Sequence, residues 1–149
     1  MTEINHSDRA HALLSASSAH RWLACPPSAV AAEAYPDQDT EFTREGTLAH
    51  EVAEAVASED FGRKKSRPLC DQEMLACADG YRDYIHEQLR REDAMVLLEQ
   101  RVDFSPWVPD GFGTCDCIII QDDTLTIIDY KYGQGVPVSA EDNPQMKLY

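Results

Sequence analysis

Residues 114–132 read TCDCIIIQDDTLTIIDYKY, and their pattern decides the fold. Two runs rich in Ile and Thr flank the polar step Gln121, Asp122, Asp123, which is the composition and spacing of two strands joined by a tight turn. A two-residue loop at Asp122 and Asp123 sets Gln121 against Thr124, Ile120 against Leu125 and Asp116 against Asp129. Alternation puts Asp116 on the face of Ile118 and Ile120, and Asp129 on that of Leu125 and Ile127. Lys131 falls on the same side, about 7 Å past Asp129 at about 3.3 Å per residue. Cys115 and Cys117 point to the opposite face, where two buried core thiols are expected rather than a zinc pair.

Upstream, VLLEQRVDF (96–104) alternates Leu98, Val102 and Phe104 against Glu99, Arg101 and Asp103, which predicts a third strand, and SPWVPDGFG (105–113) is a turn-rich connection. Before that strand the period changes to 3.6. CDQEMLACADGYRDYIHEQLRRED (70–93) predicts a long helix with Met74, Leu75, Ala78, Tyr81, Ile85 and Leu89 inward, and Cys70 and Cys77 on one side of it as core thiols. Phe61 to Pro68 is a basic linker containing RKKSR (63–67). From Thr47, LAHEVAEAVASED (48–60) predicts an amphipathic helix with the stripe Leu48, Val52, Ala55, Val56. YPDQDTEFTRE (35–45) reads as an acidic loop. SASSAHRWLACPPSAVAAE (15–33) offers Ser15 or Ser17 as cap of a short helix holding Trp22 and Leu23, stopped at Cys25 by Pro26 and Pro27. Residues 1–10 are polar and expected to fray.

Downstream, NPQMKLY (143–149) opens a helix, with Asn143 as N-cap and Pro144 at its first position. Its stop without a C-cap leads us to expect a C-terminally truncated chain. The order of elements points to an α/β layer protein with an antiparallel hairpin at 114–132 in a mixed sheet. We expect one domain over 1–149, with an N-terminal helix and loop (1–45), a helical part (46–95), and a sheet with the start of the following helix (96–149).

Two opposed carboxylates on a hairpin repel one another, and a cation between them reverses the penalty. With Lys131 beside them, Asp116 and Asp129 suit phosphodiester hydrolysis. The oxygens would hold Mg²⁺ or Mn²⁺, the ion would polarise the phosphoryl group and acidify water, and the ammonium would orient the nucleophile or stabilise charge. The alternative is a hairpin with solvated acids and a surface ion pair.

The run GFGTCDCIII, then TIIDYKYG, then NPQMKLY resembles the PD-(D/E)XK nuclease core in its RecB-like form: an Asp on one strand, D/E-x-K on the next, and Q-x-x-x-Y opening the following helix. With SASSAHRW and CP near the start, it resembles an uncharacterised phage-associated group within that superfamily. The resemblance implies a restriction-endonuclease-like core, Asp116 and Asp129 as metal ligands, Lys131 as catalytic lysine, and Gln145 and Tyr149 contacting DNA and supporting the site. It also implies His50, in EGTLAHEVAE, as a further metal ligand from an upstream helix. Glu99 admits a metal-side role or that of an ordinary exposed strand residue, and alternation favours the second. Many RecB-like relatives bind a 4Fe-4S cluster through one Cys near the start and three after Q-x-x-x-Y. Cys25 matches the first position, and the other three would have to lie past Tyr149.

The function implied is a divalent-metal-dependent deoxyribonuclease, with exonuclease action on DNA ends or single strands in phage recombination or DNA processing. The competing readings are an inactive or partner-dependent DNA-binding module of the same fold, and a small metal-storage or regulatory protein, which leaves Lys131, Gln145 and Tyr149 without a role. The 149 residues carry a formal net charge of −14, which argues against a general nucleic-acid binder because phosphate affinity comes from Lys and Arg. Grouping of basic residues in 63–67 and 89–91 softens that objection. No run reaches the roughly 18–20 apolar residues of a membrane span, no secretory leader is legible, and five cysteines do not suggest a disulfide framework, so a cytoplasmic setting is expected, in a bacterial host if phage-encoded. The residues point to no particular oligomeric state.

Overall fold

The structure is a computed structural model that describes residues 12–35, 40–133 and 137–149. The expected fraying of residues 1–10 lies outside them. In chain order, a 3-10 turn (Ala16–Ser18) is followed by helices α1 (Ala19–Ala24), α2 (Pro27–Glu33), α3 (Glu41–Asp60) and α4 (Gln72–Gln88). Strands β1 (Met95–Asp103), β2 (Phe112–Gln121) and β3 (Thr124–Ile128) come next, and α5 (Pro144–Leu148) closes the order. The strands form an antiparallel sheet in the order β1-β2-β3, flanked by helices, which is an α/β architecture. Among the described residues, no helix is long and apolar enough to cross a membrane.

Two compact units share the chain: the described residues of Met1–Asp37, Arg101–Thr114 and Pro137–Tyr149 form one, and those of Gln38–Gln100 and Cys115–Val136 the other. In the second unit, α3 and α4 pack on the hairpin through Ala49, Val52, Ala53, Val56, Met74, Ala78, Tyr81 and Ile85 against Leu98, Cys117, Ile119 and Ile128. The hairpin has the register expected from its two-residue loop, with Gln121 opposite Thr124, Ile120 opposite Leu125 and Cys117 opposite Ile128. Asp122 takes the left-handed conformation that closes the turn, at φ 50°, which a short polar side chain tolerates. The strand expected to run on to Tyr132 leaves the ladder after Ile128, because the next strand-like acceptor for Tyr130 N–H is a side chain: the Asp116 carboxylate takes that hydrogen bond at 2.6 Å.

Helix α3 begins well before Thr47. Thr40 Oγ1 accepts from Thr43 N at 3.2 Å and Thr43 Oγ1 accepts from Thr40 N at 2.8 Å, a reciprocal cap that turns Glu41–Gly46 into helix where a loop was expected. Helix α4 covers Gln72–Gln88 of the expected 70–93, starting where Asp71 Oδ1 accepts from Met74 N at 2.8 Å and ending before Leu89. Its far end is tied to the hairpin by the buried Gln121, whose amide donates to Gln88 O at 2.7 Å and accepts from Arg90 N at 2.8 Å. These bonds satisfy backbone groups that the end of a helix leaves without partners.

In the first unit neither Ser15 nor Ser17 caps by its hydroxyl. The carbonyl of Ser15 instead receives Trp22 Nε1 at 2.9 Å, seating the indole with Ala19 and Ala29 among Leu13, Leu14, Val108 and Leu148. The two prolines end α1 and also begin α2, with Pro27 in its first turn, where a missing N–H costs nothing. Gly111 closes the Phe104–Gly111 turn: a Cβ there would lie 2.5 Å from the Phe104 ring and 2.8 Å from Val108 O.

Candidate metal centre

Helix α3 carries His50, half-buried, one turn before Glu54. Its Nδ1 stands 3.4 Å from Asp116 Oδ1, while the other oxygen of Asp116 holds Tyr130 N–H. Asp116 is 8% exposed, so both its oxygens are committed inside the fold. The His50 ring is oriented by an edge contact with Tyr130, centroids 5.5 Å apart, and Tyr130 leans on Tyr81 at 5.0 Å.

Glu99 joins this pair. One donor atom from each of His50, Glu99 and Asp116 lies within 4.8 Å of the others. Its expected place as an exposed strand residue is overturned by its backbone, since Glu99 has φ 48° in the middle of β1. A left-handed residue interrupts the two-residue alternation and re-aims the side chain as a bulge does. A bulky non-glycine residue holds that conformation at a cost of about 1 kcal/mol or more, and such strain concentrates at sites that use it.

Asp129 and Lys131 are neighbours of the trio and not members of it. Lys131 Nζ binds Asp129 Oδ2 at 2.5 Å, and Asp129 is absent from the mutually close donor set among the described residues. Among the described residues the mutually close donors are those of His50, Glu99 and Asp116, with the Asp129–Lys131 pair alongside. The reason is local: β3 has left the ladder by Asp129, so opposition to Asp116 no longer dictates where that carboxylate points.

Burial first, and the close charge of Asp116 after it, shifts the Glu99 and Asp129 carboxyls in one direction. Burial raises the Glu99 carboxyl above its ordinary value and Asp116 adds to the shift. Burial likewise raises Asp129, with Lys131 opposing. The hydrogen bond to Asp116 raises the His50 imidazole, against its partial burial. Negative charge packed this closely is what a cation relieves. One imidazole nitrogen with carboxylate oxygens suits a hard divalent ion that accepts nitrogen, Mn²⁺ before Mg²⁺.

The remaining expected residues lie in the first unit. Asn143 caps α5 by accepting from Gln145 N at 2.9 Å, as its sequence predicts. Gln145 Nε2 approaches the Tyr149 hydroxyl at 3.4 Å, and the Tyr149 ring lies so close to Gly113 that a Cβ there would be 2.9 Å away. Cys25 is exposed just past α1 and enters no group of three close donors among the described residues. Cys115 and Cys117 are buried, and desolvation pushes each thiol up to about 12, which suits core packing and not ligation. Cys77 is exposed, contrary to its expected core role, while Cys70 is partly buried ahead of α4. The cysteines described here do not fit a four-thiolate cluster.

The family model with the description "Protein of unknown function (DUF2800)" matches residues 11–149. No solved structure matches the chain.

Proposed function

The chain belongs to the DUF2800 family, and we propose that it is a divalent-metal-dependent deoxyribonuclease of the PD-(D/E)XK, RecB-like type. The observation that carries the proposal is the approach of His50, Glu99 and Asp116 donors within 4.8 Å of one another, beside the Asp129–Lys131 pair. When bound, Mg²⁺ or Mn²⁺ supplies positive charge at the phosphoryl oxygen and acidity for a water.

The chain's own groups do the rest. Asp116 and Glu99 offer oxygens and His50 a nitrogen to the ion. Tyr130 N–H holds Asp116 in its rotamer, and Tyr130 and Asp116 between them fix the His50 ring. The ammonium of Lys131, paired with Asp129, donates to the attacking water or to a non-bridging phosphate oxygen, where charge grows as the bond to the leaving oxygen breaks. Gln145 and Tyr149 are assigned, by the family resemblance, to DNA contact. Exonuclease action on ends or single strands, in phage recombination or DNA processing within a bacterial cytoplasm, is the form this proposal takes.

A net charge of −14 favours a second reading, a module that needs a basic partner before it engages DNA. One experiment separates the two. End-labelled single- and double-stranded DNA is incubated with the chain and Mn²⁺ or Mg²⁺, beside EDTA and the Lys131→Ala and Asp116→Ala variants. Cleavage lost in all three controls supports the nuclease. Equal cleavage by the variants would sink it, and Mn²⁺ binding without cleavage by the unaltered chain moves the assignment to the partner-dependent module.

A further inference from the structure

The basic linker RKKSR between α3 and α4 has a place in the fold that its sequence alone does not specify. Phe61 N bonds Ser58 O at 3.2 Å and Arg63 N bonds the same carbonyl at 3.0 Å, with Gly62 left-handed at φ 73°. This turn fixes where the linker leaves the helix. Lys65 Nζ then forms an ion pair with the Glu54 carboxylate, one turn along α3 from His50. The middle of the linker is thereby pinned at the edge of the His50, Glu99, Asp116 group, within the same unit.

Arg63, Lys64 and Arg67 are exposed and make no ion pair among the described residues, whereas Arg82, Arg91, Lys131 and Lys147 are all paired with aspartates. In a chain of net charge −14, three uncommitted cations held at the rim of an acidic site form the local field that an approaching polyanion meets first.

We infer that the Arg63–Arg67 linker is the surface that binds the backbone phosphates of a nucleic-acid strand beside the His50, Glu99, Asp116 group. It rests on the nuclease reading and adds the strand-binding surface to it. Lys65 acts as the anchor, and Arg63, Lys64 and Arg67 make the phosphate contacts. Contacts of this kind carry no base preference, so the surface serves a nuclease that tolerates many sequences.

The test is salt-dependent binding of fluorescein-labelled oligo(dT) to the full chain, with Ca²⁺ in place of Mn²⁺ and strand integrity checked on a gel. The Arg63→Ala/Lys64→Ala/Arg67→Ala variant should weaken binding at low salt by about tenfold or more and reduce the log K against log salt slope by about 2, at about 0.7 per phosphate contact on a single strand. Arg91→Ala, a charge loss elsewhere in the same unit, should leave the slope unchanged. An unchanged slope in the triple variant, while the unaltered chain binds and cleaves, overturns the linker assignment and leaves the nuclease standing. Binding that depends on the linker without any cleavage keeps the assignment and removes the nuclease. Capture of phosphatidylserine vesicles through the linker, with oligo(dT) left free, would assign it to a lipid surface and overturn the proposal.

Discussion

Glu99 is the residue at which backbone and chemistry are most tightly bound together. Its left-handed φ of 48° and its raised carboxyl are two costs at one position, and both disappear in Glu99→Gly. That variant should raise the melting temperature of the metal-free protein, by the equivalent of about 1 kcal/mol for the relieved backbone, while reducing the stabilisation that Mn²⁺ provides. Differential scanning fluorimetry with and without Mn²⁺ reads both effects, and a fall in metal-free stability would remove the strain argument. Tyr130 is informative in a different way, because its hydroxyl is buried without a hydrogen-bond partner among the described residues. An unpartnered buried hydroxyl costs about 1–3 kcal/mol, so Tyr130→Phe should be neutral or stabilising in urea denaturation while keeping its ring against His50 and Tyr81. Thiol reactivity follows burial: a maleimide should label Cys25 and Cys77 rapidly in the native protein, and Cys115 and Cys117 only after unfolding, since both thiols are buried and pushed up to about 12.

At the scale of elements, caps and turns account for boundaries that hydrophobic periodicity misses. The stripe of Leu48, Val52, Ala55 and Val56 announces a helix but says nothing of where it starts, because the apolar residue of its first turn, Phe42, is 81% exposed and marks no buried face. The reciprocal Thr40–Thr43 cap supplies the boundary, and Thr40→Ala should cost about 1 kcal/mol, measured by urea denaturation, with the helix fraying toward Thr47. The hairpin was legible as far as Ile128, since a two-residue turn and a two-residue period together determine register. It also shows why register does not suffice for a site. Ile120 and Leu125 on the Asp116 face are 41% and 56% exposed, so that face opens outward near the turn and closes only around Asp116. The Phe104–Gly111 turn offers a sharp check, because Gly111→Ala drives a Cβ into an aromatic ring and a carbonyl and should destabilise by about 1–3 kcal/mol.

For the molecule as a whole, acid titration joins fold and site. His50, Glu99 and Asp129 all hold their protons more tightly folded than unfolded. Each contribution is complete below the unfolded pKa and is lost as pH rises through the folded one, starting near pH 4 for the carboxyls and near pH 6.5 for the imidazole. The metal-free protein should therefore lose melting temperature as pH rises above about 4, and a Glu99→Gln variant, which lacks one of the three groups, should lose less. Saturating Mn²⁺ should flatten the trend, because metal binding requires these groups deprotonated. A steeper fall with Mn²⁺ than without would count against the centre. From residue order alone came everything set by neighbours in the chain: the α/β class, the hairpin and its register, the cap of α5, and the nomination of Asp116, while His50 was nominated by the family resemblance. The tertiary structure decided what depends on distant segments meeting. It brought Glu99 to His50 and Asp116, left Cys77 exposed, and seated Lys65 beside Glu54. The physical reason is that periodicity and capping act over one or two turns of chain, whereas the aim of a side chain at a left-handed strand residue, or past the end of a ladder, is set by what the opposite element offers it.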